Sequence, residues 1–112
     1  MESQHQNLAA GKWHSMTIAE QLGNIGSEVG RAMNWKEKSN SDQSQKAFDR
    51  ALELFDLSLA DKRWQYPALK EIARGREVVC DFLVGDNEYG SDKEFLNKYF
   101  LQFGMLARNS SL

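Results

Sequence analysis

Five acidic residues are the side chains whose type and spacing best suit chemistry in this sequence. Glu53 and Asp56, in the segment "ELFD", are three residues apart. Glu77 and Asp81 are four residues apart, and Glu28 precedes both pairs. Side chains at these separations share one face of a helix, and Mg²⁺ binds carboxylate oxygens. One hypothesis is therefore a magnesium-dependent hydrolase that acts on a nucleotide or another phosphate substrate.

The same carboxylates also suit a solvated helix surface with ion pairs to arginines. Helical nucleotide pyrophosphohydrolases hold magnesium with acidic pairs on their helices. The second pair is missing here, because Glu20 and Glu28 are eight residues apart. The di-metal sites of helical bundles need Glu-x-x-His pairs, and the chain has no histidine after His14. We therefore expect no metal, no cofactor and no catalytic residue, with magnesium as the alternative.

Basic and aromatic residues alternate between residues 62 and 76. Phosphates bind cations and nucleobases stack on aromatic rings, so such a segment is typical of a nucleic-acid surface. Asp61 and Glu71 interrupt the segment, and the formal net charge of the chain is −2. The alternative is a solvated helix surface, with Trp64 closing one end of the core. The residues predicted to contact a partner are Arg63, Trp64, Lys70, Arg74 and Arg76.

Arg76 is unusual because it lies in line with apolar positions of its predicted helix, including Ile72 and Val79. An arginine at or inside the surface of a bundle needs a partner, because an unpaired buried charge is costly. We expect an ion-pair network that fixes the helix register, and the alternative is a polar centre that binds a ligand. The possible partners are Glu28, Glu53, Asp56 and Glu77.

Three glycines, Gly23, Gly26 and Gly30, lie in the segment "EQLGNIGSEVGRAMNW". A phosphate-binding loop requires G-x-G-x-x-G after a strand or G-x-x-x-x-G-K-[ST], and the segment matches neither pattern. Their spacing instead places them, with Ala19, on one helix face. Each glycine costs a helix about 0.8–1 kcal/mol relative to alanine. We expect close packing of another helix to offset this cost, and the alternative is a groove left open for a ligand or a partner chain.

Length and composition limit the class of protein. The chain has 112 residues, enough for one domain, and 41% of them are hydrophobic, as in folded proteins. The single cysteine, Cys80, excludes an internal disulfide and a cysteine metal site, and we expect it to be a small buried side chain. The N-terminal segment lacks the pattern of a secretory signal, and no apolar run is long enough to span a membrane. We therefore expect a cytoplasmic protein without a membrane partner.

Helix start and stop patterns define the first two predicted helices. Thr17 and Glu20 have the spacing of a capping box. Apolar residues then recur at steps of three and four to about residue 38, which predicts one amphipathic helix. Ser41 is predicted to cap the second helix, which ends near residue 60.

Two further helices follow. Pro67 suits the first turn of a helix and Gly85 suits the end of one, which predicts a third helix from residue 67 to about residue 84. Ser91 and Glu94 repeat the capping-box spacing, and the fourth predicted helix extends to about residue 108.

Short connectors between helices predict antiparallel neighbours. The predicted architecture is therefore all-α, a single up-down-up-down antiparallel four-helix bundle over residues 16–108. An N-terminal arm over residues 1–15 precedes the bundle, and a tail over residues 109–112 follows it.

Three segments of the sequence resemble a family of small uncharacterised prokaryotic proteins. They are "KWHSMTIAEQLGNIGSEVGRAMNW", "ALELFDLSLADKRW" and "REVVCDFLVGDNEYGSD". The similarity covers about residues 12–108. It implies a compact helical bundle of unknown function, and it brings no catalytic residues with it.

These observations favour a non-enzymatic interaction or adaptor protein that self-associates or binds another protein. The 12 aromatic residues of the chain suffice to fill a core and to leave some for an interface. Two alternatives stay open: the magnesium-dependent hydrolase, and a nucleic-acid-binding bundle that uses residues 62–76.

Overall fold

Five α-helices form the fold. The computed structural model describes residues 8–110, and the side chains of residues 11–109. The described residues contain no strand, which confirms the all-α prediction. Residues 1–7 of the predicted arm and residues 111–112 of the predicted tail lie outside the described part of the chain. The helices are α1 (Leu8–Trp13), α2 (Ile18–Glu37), α3 (Ser41–Leu59), α4 (Ala68–Leu83) and α5 (Lys93–Ser110).

The helix start at Thr17 follows from local side-chain chemistry. Thr17 Oγ1 accepts a hydrogen bond from the Glu20 amide at 3.1 Å, and Glu20 Oε1 accepts one from the Thr17 amide at 2.8 Å. Both halves of the predicted capping box are therefore present, and each satisfies an amide that the helix leaves without a partner.

The predicted caps at Ser41 and Ser91 are each wrong by one residue. Asn40 caps α3 with its side-chain oxygen, and Ser41 is the first helical residue. Asp92 Oδ1 accepts the hydrogen bond from the Phe95 amide at the start of α5. Asn and Asp cap helices as well as Ser does, so local preference did not distinguish these neighbours.

The predicted arm contains a helix, α1, that the sequence analysis did not anticipate. Trp13, its last residue, is only 4% exposed and belongs to the core. The indole Nε1 of Trp13 donates a hydrogen bond to Ser58 Oγ at 2.9 Å. Burial of this large ring, rather than the propensity of six residues, accounts for an ordered helix of this length.

Helices α2 and α3 are antiparallel neighbours. Ser58 in the last turn of α3 contacts Gln21 in the first turn of α2, and Ser44 at the other end of α3 contacts Ala32. Burying a Val, Leu, Ile or Phe side chain stabilises a fold by about 1.5–3 kcal/mol. The apolar residues at 0% exposure are Leu22, Ile25, Val29, Ala32, Ala47, Ala51, Phe55, Ile72 and Val79.

The glycine face of α2 packs against α5, as predicted, at two of its three glycines. A Cβ added at Gly23 would lie 3.2 Å from the Cα of Gly104, and one at Gly26 would lie 2.4 Å from the Cβ of Phe100. A Cβ at Gly30 would meet no atom within 4 Å. Close packing therefore requires glycine at Gly26 and leaves little room for a side chain at Gly23, whereas the prediction is wrong for Gly30, where a side chain would meet open space.

Helix α4 packs against α3, and a hydrogen bond joins the C-terminal end of α4 to α2. A Cβ at Gly75 would lie 3.5 Å from the ring of Phe55 on α3. Lys36 Nζ, in the last turn of α2, donates a hydrogen bond to the carbonyl of Leu83 at 2.9 Å. Between α4 and α5 the structure leaves a cavity, so α5 has α2 as a close neighbour on one side only.

Candidate interaction surface and the adjoining cavity

Helix α5 presents more apolar surface to solvent than any other described helix. Its buried side consists of Leu96 and Phe100, which are 1% and 5% exposed. Four further apolar side chains of the same helix are between 49% and 54% exposed. We call them the α5 apolar surface: Phe95, Leu101, Met105 and Leu106.

The α5 apolar surface extends around two sides of the helix. Leu101 and Met105 are four residues apart and lie on one side. Leu101 borders a shallow surface groove that also contains Gly23, Gly26 and Gly104. Phe95 lies on the other side, where α5 faces α4. Packing against α2 alone does not account for apolar side chains on two separate sides of one helix.

A cavity of about 160 Å³ separates α4 from α5. Its aromatic walls come from Phe95, Tyr99 and Phe100 of α5 and from Tyr89 in the preceding connector. The rings of Tyr99 and Phe100 meet edge to face, with centroids 5.0 Å apart. Glu71, Arg74, Gly75 and Val78 of α4 form the opposite side, and Ser91 and Leu96 complete the lining.

Hydrogen bonds orient both tyrosines of the cavity. The Tyr99 hydroxyl donates to Glu71, and the Tyr89 hydroxyl donates to Glu77 Oε2 at 3.0 Å. Burial and the hydrogen bond to Glu71 raise the pKa of Tyr99, and the hydrogen bond to Glu77 raises the pKa of Tyr89. Both phenols therefore stay protonated at neutral pH and act as donors.

Arg74 lies at the mouth of the cavity. Its guanidinium carbon is 5.7 Å from the centroid of the Tyr89 ring, a cation–π distance. Its positive charge opposes the rise in the pKa of both Tyr99 and Tyr89. Among the residues that the structure describes, no carboxylate lies within ion-pair distance of Arg74.

Arg63 and Trp64, two of the predicted contact residues, bond to a buried polar network, although the Arg63 side chain is itself 42% exposed. Their contact with a partner stays a prediction. Arg63 forms two side-chain hydrogen bonds to the Asp61 carboxylate, at 2.7 and 3.0 Å, and its guanidinium stacks on Trp64. Trp64 Nε1 donates to Gln21 Oε1 at 2.8 Å. Trp64 therefore closes one end of the core, as the alternative to a nucleic-acid surface proposed.

Gln21 is the centre of this network. Its Oε1 also accepts from Ser58, and its Nε2 donates to the Trp13 carbonyl and to Asp61 Oδ2. Gln21, Ser58 and Asp61 are at most 3% exposed. The hydrogen bonds from Arg63 hold the pKa of Asp61 well below its usual range. Every polar atom of the Gln21 side chain has its partners, as buried polar groups require.

The remaining predicted contact residues point in different directions. Lys70 lies over the Tyr66 ring at 5.6 Å, and Arg74 borders the cavity. Arg76 is half-exposed and pairs with Asp56 at 3.1 Å. The expected ion pair of Arg76 is therefore present, but as one surface pair rather than a buried network.

The structure does not bring the five candidate carboxylates together. Glu28 accepts hydrogen bonds from Arg31 and Arg50 instead of Arg76. Asp56 pairs with Arg76, Glu77 accepts from Tyr89, and Asp81 accepts from the amides of the connector after α4. Glu53 is half-buried on α3. Within residues 8–110, no three His, Cys, Asp or Glu side chains are arranged to hold a metal ion.

The sequence analysis predicted neither the exposed apolar side chains of α5 nor the hydrogen-bond network around Gln21. The apolar residues of α5 were all assigned to the core, although they occupy more of the helix circumference than one core-facing stripe needs. Gln21 looked like an ordinary polar residue of an amphipathic helix, and its position in line with Ile25 and Ile18 was the available indication of burial.

Comparison of the chain with protein-family models, with curated proteins and with solved structures found no match. The resemblance to small prokaryotic bundles therefore stays a prediction. Among the described helices, none combines the length and the apolar composition needed to cross a lipid bilayer.

Proposed function

We propose that this protein is a non-enzymatic interaction module, an antiparallel four-helix bundle that self-associates through α5. The observation that supports this proposal is the pair Leu101 and Met105 on one side of α5, two large apolar side chains that are 53% and 49% exposed. Contiguous apolar surface on a folded protein is typical of an interaction site. A cytoplasmic location suits the proposal, because Cys80 is a free thiol and reducing compartments preserve free thiols.

A second copy of the same chain is the partner that suits this surface. A two-fold dimer pairs one patch with itself, so it needs a surface that complements its own copy. Leu101 and Met105 provide apolar contacts, and the net charge of −2 gives little repulsion between copies. Lys98 and Glu94 flank the patch as an ion pair on the same helix, which suits the polar rim of an interface.

Sedimentation velocity over a wide range of protein concentration tests the proposal. We expect the wild-type chain to form dimers, and Met105→Glu to weaken dimerisation at least about tenfold, because it places an unpaired charge in the interface. Val84→Glu is the matched control. Val84 is 63% exposed and lies outside α5, so the same change there is expected to leave the dimer intact.

Two results would count against self-association. One is a wild-type chain that stays monomeric at every concentration. The other is equal weakening by Met105→Glu and Val84→Glu, which would assign the effect to added charge in general rather than to α5.

A further inference from the structure

The exposed face of α5 that carries Leu101 and Met105 has opposite charges at its two ends. Glu94 and Arg108 are each seven residues from Leu101, so both lie within about 20° of it around the helix axis. The Glu94 side chain is 77% exposed at the start of α5, and Arg108 is exposed near the end and borders the same groove as Leu101. An acidic group therefore lies about 10 Å before Leu101 along the helix, and a basic group lies about 10 Å after it.

This face complements itself when two copies of α5 pack antiparallel. A two-fold axis at Leu101 brings residues that are equally far before and after it opposite each other. Glu94 of each copy then faces Arg108 of the partner subunit, so one dimer contains this ion pair twice. A parallel arrangement would instead place Glu94 against Glu94 and Arg108 against Arg108, and like charges repel.

Both charged side chains are able to contact a second copy. The Glu94 carboxylate pairs with Lys98 at 3.3 Å on the surface of its own helix, and a carboxylate accepts hydrogen bonds at both of its oxygens. Within residues 11–109, Arg108 forms no ion pair with a carboxylate. Its guanidinium is therefore available for a carboxylate of another chain.

Gly104 supports the close approach of a second helix at this face. Glycine in a helix interior is unfavourable relative to alanine. A Cβ at Gly104 would meet no atom within 4 Å, so packing within one chain does not require glycine there. The same two-fold axis places Lys98 of the partner subunit opposite Gly104, where the missing side chain leaves room for the long aliphatic stem of the lysine.

We propose that a second copy of the chain binds with its α5 antiparallel to this one, with the two-fold axis at Leu101, and that reciprocal ion pairs between Glu94 and Arg108 determine this orientation. The inference rests on the proposed self-association and adds to it the arrangement of the two helices and the residues that select it. A monomeric wild-type chain would refute both, whereas a dimer that does not respond to these two charges would refute the inference alone.

Charge reversal tests the orientation, with sedimentation velocity at low salt as the measurement. Glu94→Arg and Arg108→Glu each turn two attractive contacts per dimer into two repulsive ones, and each is expected to weaken dimerisation about tenfold. The double variant with both reversals restores opposite charges across the antiparallel interface and is expected to dimerise within about threefold of the wild type. A parallel dimer would respond to neither single reversal, because each replaces one like-charge pair with another.

Two comparisons separate the interchain ion pairs from other effects of charge. Lys46→Glu makes the same charge change as Arg108→Glu at an exposed position of α3, and it is expected to leave the dimer intact. The double variant places a cation at the start of α5 and an anion near its end, which is the unfavourable arrangement for the helix dipole. Recovery in that variant therefore cannot come from a more stable α5. Absence of recovery, or an equal loss with Lys46→Glu, would overturn the inference.

Cysteine cross-linking tests the orientation without changing either charge. In a Cys80→Ser background, Leu101→Cys places the new thiol next to its own copy at the two-fold axis, and oxidation is expected to yield covalent dimers. Asn97→Cys is the matched control, because the antiparallel arrangement separates it from its copy by about 12 Å along the helices, beyond the reach of a disulfide. Equal cross-linking at both positions would indicate parallel helices and overturn the inference. Failure of Leu101→Cys to cross-link in a preparation that sedimentation shows to be dimeric would also overturn it.

Discussion

Gln21 connects four parts of the chain through its side-chain hydrogen bonds. It lies at 0% exposure and bonds to Trp13, Ser58, Asp61 and Trp64. These partners come from α1, α3 and the connector before α4, so one side chain in α2 holds one end of the molecule together. A buried network with all members satisfied specifies a single arrangement of the elements around it.

Gln21→Leu is expected to lower the free energy of unfolding by roughly 2–4 kcal/mol, because several buried donors and acceptors lose their partner at once. The volume of the side chain changes little, so the loss reports hydrogen bonding rather than a cavity. Urea unfolding followed by circular dichroism measures it. Gln43→Leu, at an exposed position of α3, is the control and is expected to change stability by less than about 0.5 kcal/mol. Similar values for both variants would contradict a central role for Gln21.

Asp61 makes the stability of the protein depend on pH. Its pKa in the folded state lies below the value of about 3.9 for an unfolded aspartate. The contribution of Asp61 is therefore complete at neutral pH and decreases as pH falls below about 4, where the unfolded chain takes up a proton and the folded chain does not.

Asp61→Asn is expected to cost about 2 kcal/mol at neutral pH, because an amide replaces one carboxylate oxygen with a donor that faces other donors. The cost is below that of a fully buried pair, since solvent reaches Arg63. Urea unfolding from about pH 7 to about pH 2 is expected to show the difference between wild type and variant shrinking at the acid end. A constant difference across this range would show that the charge of Asp61 is not the cause.

At the scale of helices, the contact between α2 and α5 depends on missing side chains. The backbones approach closely where Gly23 faces Gly104 and where Gly26 faces Phe100. The cost of three glycines in α2 is offset at two of them by this packing. At Gly30 no close packing offsets the cost, because a side chain there would meet no atom within 4 Å.

Two glycine substitutions in α2 are expected to have opposite effects. Gly26→Ala places a methyl group 2.4 Å from the Phe100 Cβ, which cannot rotate away, so α5 must shift, at a cost of about 1–3 kcal/mol. Gly30→Ala meets nothing within 4 Å and is expected to stabilise α2 by up to about 1 kcal/mol. Thermal unfolding of both variants beside the wild type measures the contrast. Effects of the same sign would contradict the packing of α2 against α5.

Helix limits were predictable to within one or two residues wherever local chemistry sets them. The Thr17 box, the α4 limits and the glycine face follow from interactions between residues close in sequence or from helical spacing. The short helix α1 was not predictable, because its order depends on burial of Trp13 against residues about 45 positions away.

For the whole molecule, self-association is expected to couple stability to concentration. The melting temperature of the wild-type chain should rise by about 3 °C for each tenfold increase in protein concentration. The reason is that only folded chains dimerise, so a higher concentration stabilises the folded state. Met105→Glu should remove this dependence while leaving the melting temperature at low concentration nearly unchanged. Differential scanning calorimetry at several concentrations measures both. A wild-type melting temperature that is independent of concentration would contradict a dimer.

The sequence was enough to predict an all-α domain, the positions of its four long helices and a close helix contact at Gly23 and Gly26. These properties follow from periodicity, caps and side-chain size along the chain. The candidate site was not predictable in this way. Periodicity shows which residues of α5 share a face, but whether another helix covers that face depends on the packing of the whole molecule. Only the tertiary structure shows α4 held away from α5, which leaves Phe95 and Arg74 beside a cavity and leaves Leu101 and Met105 exposed.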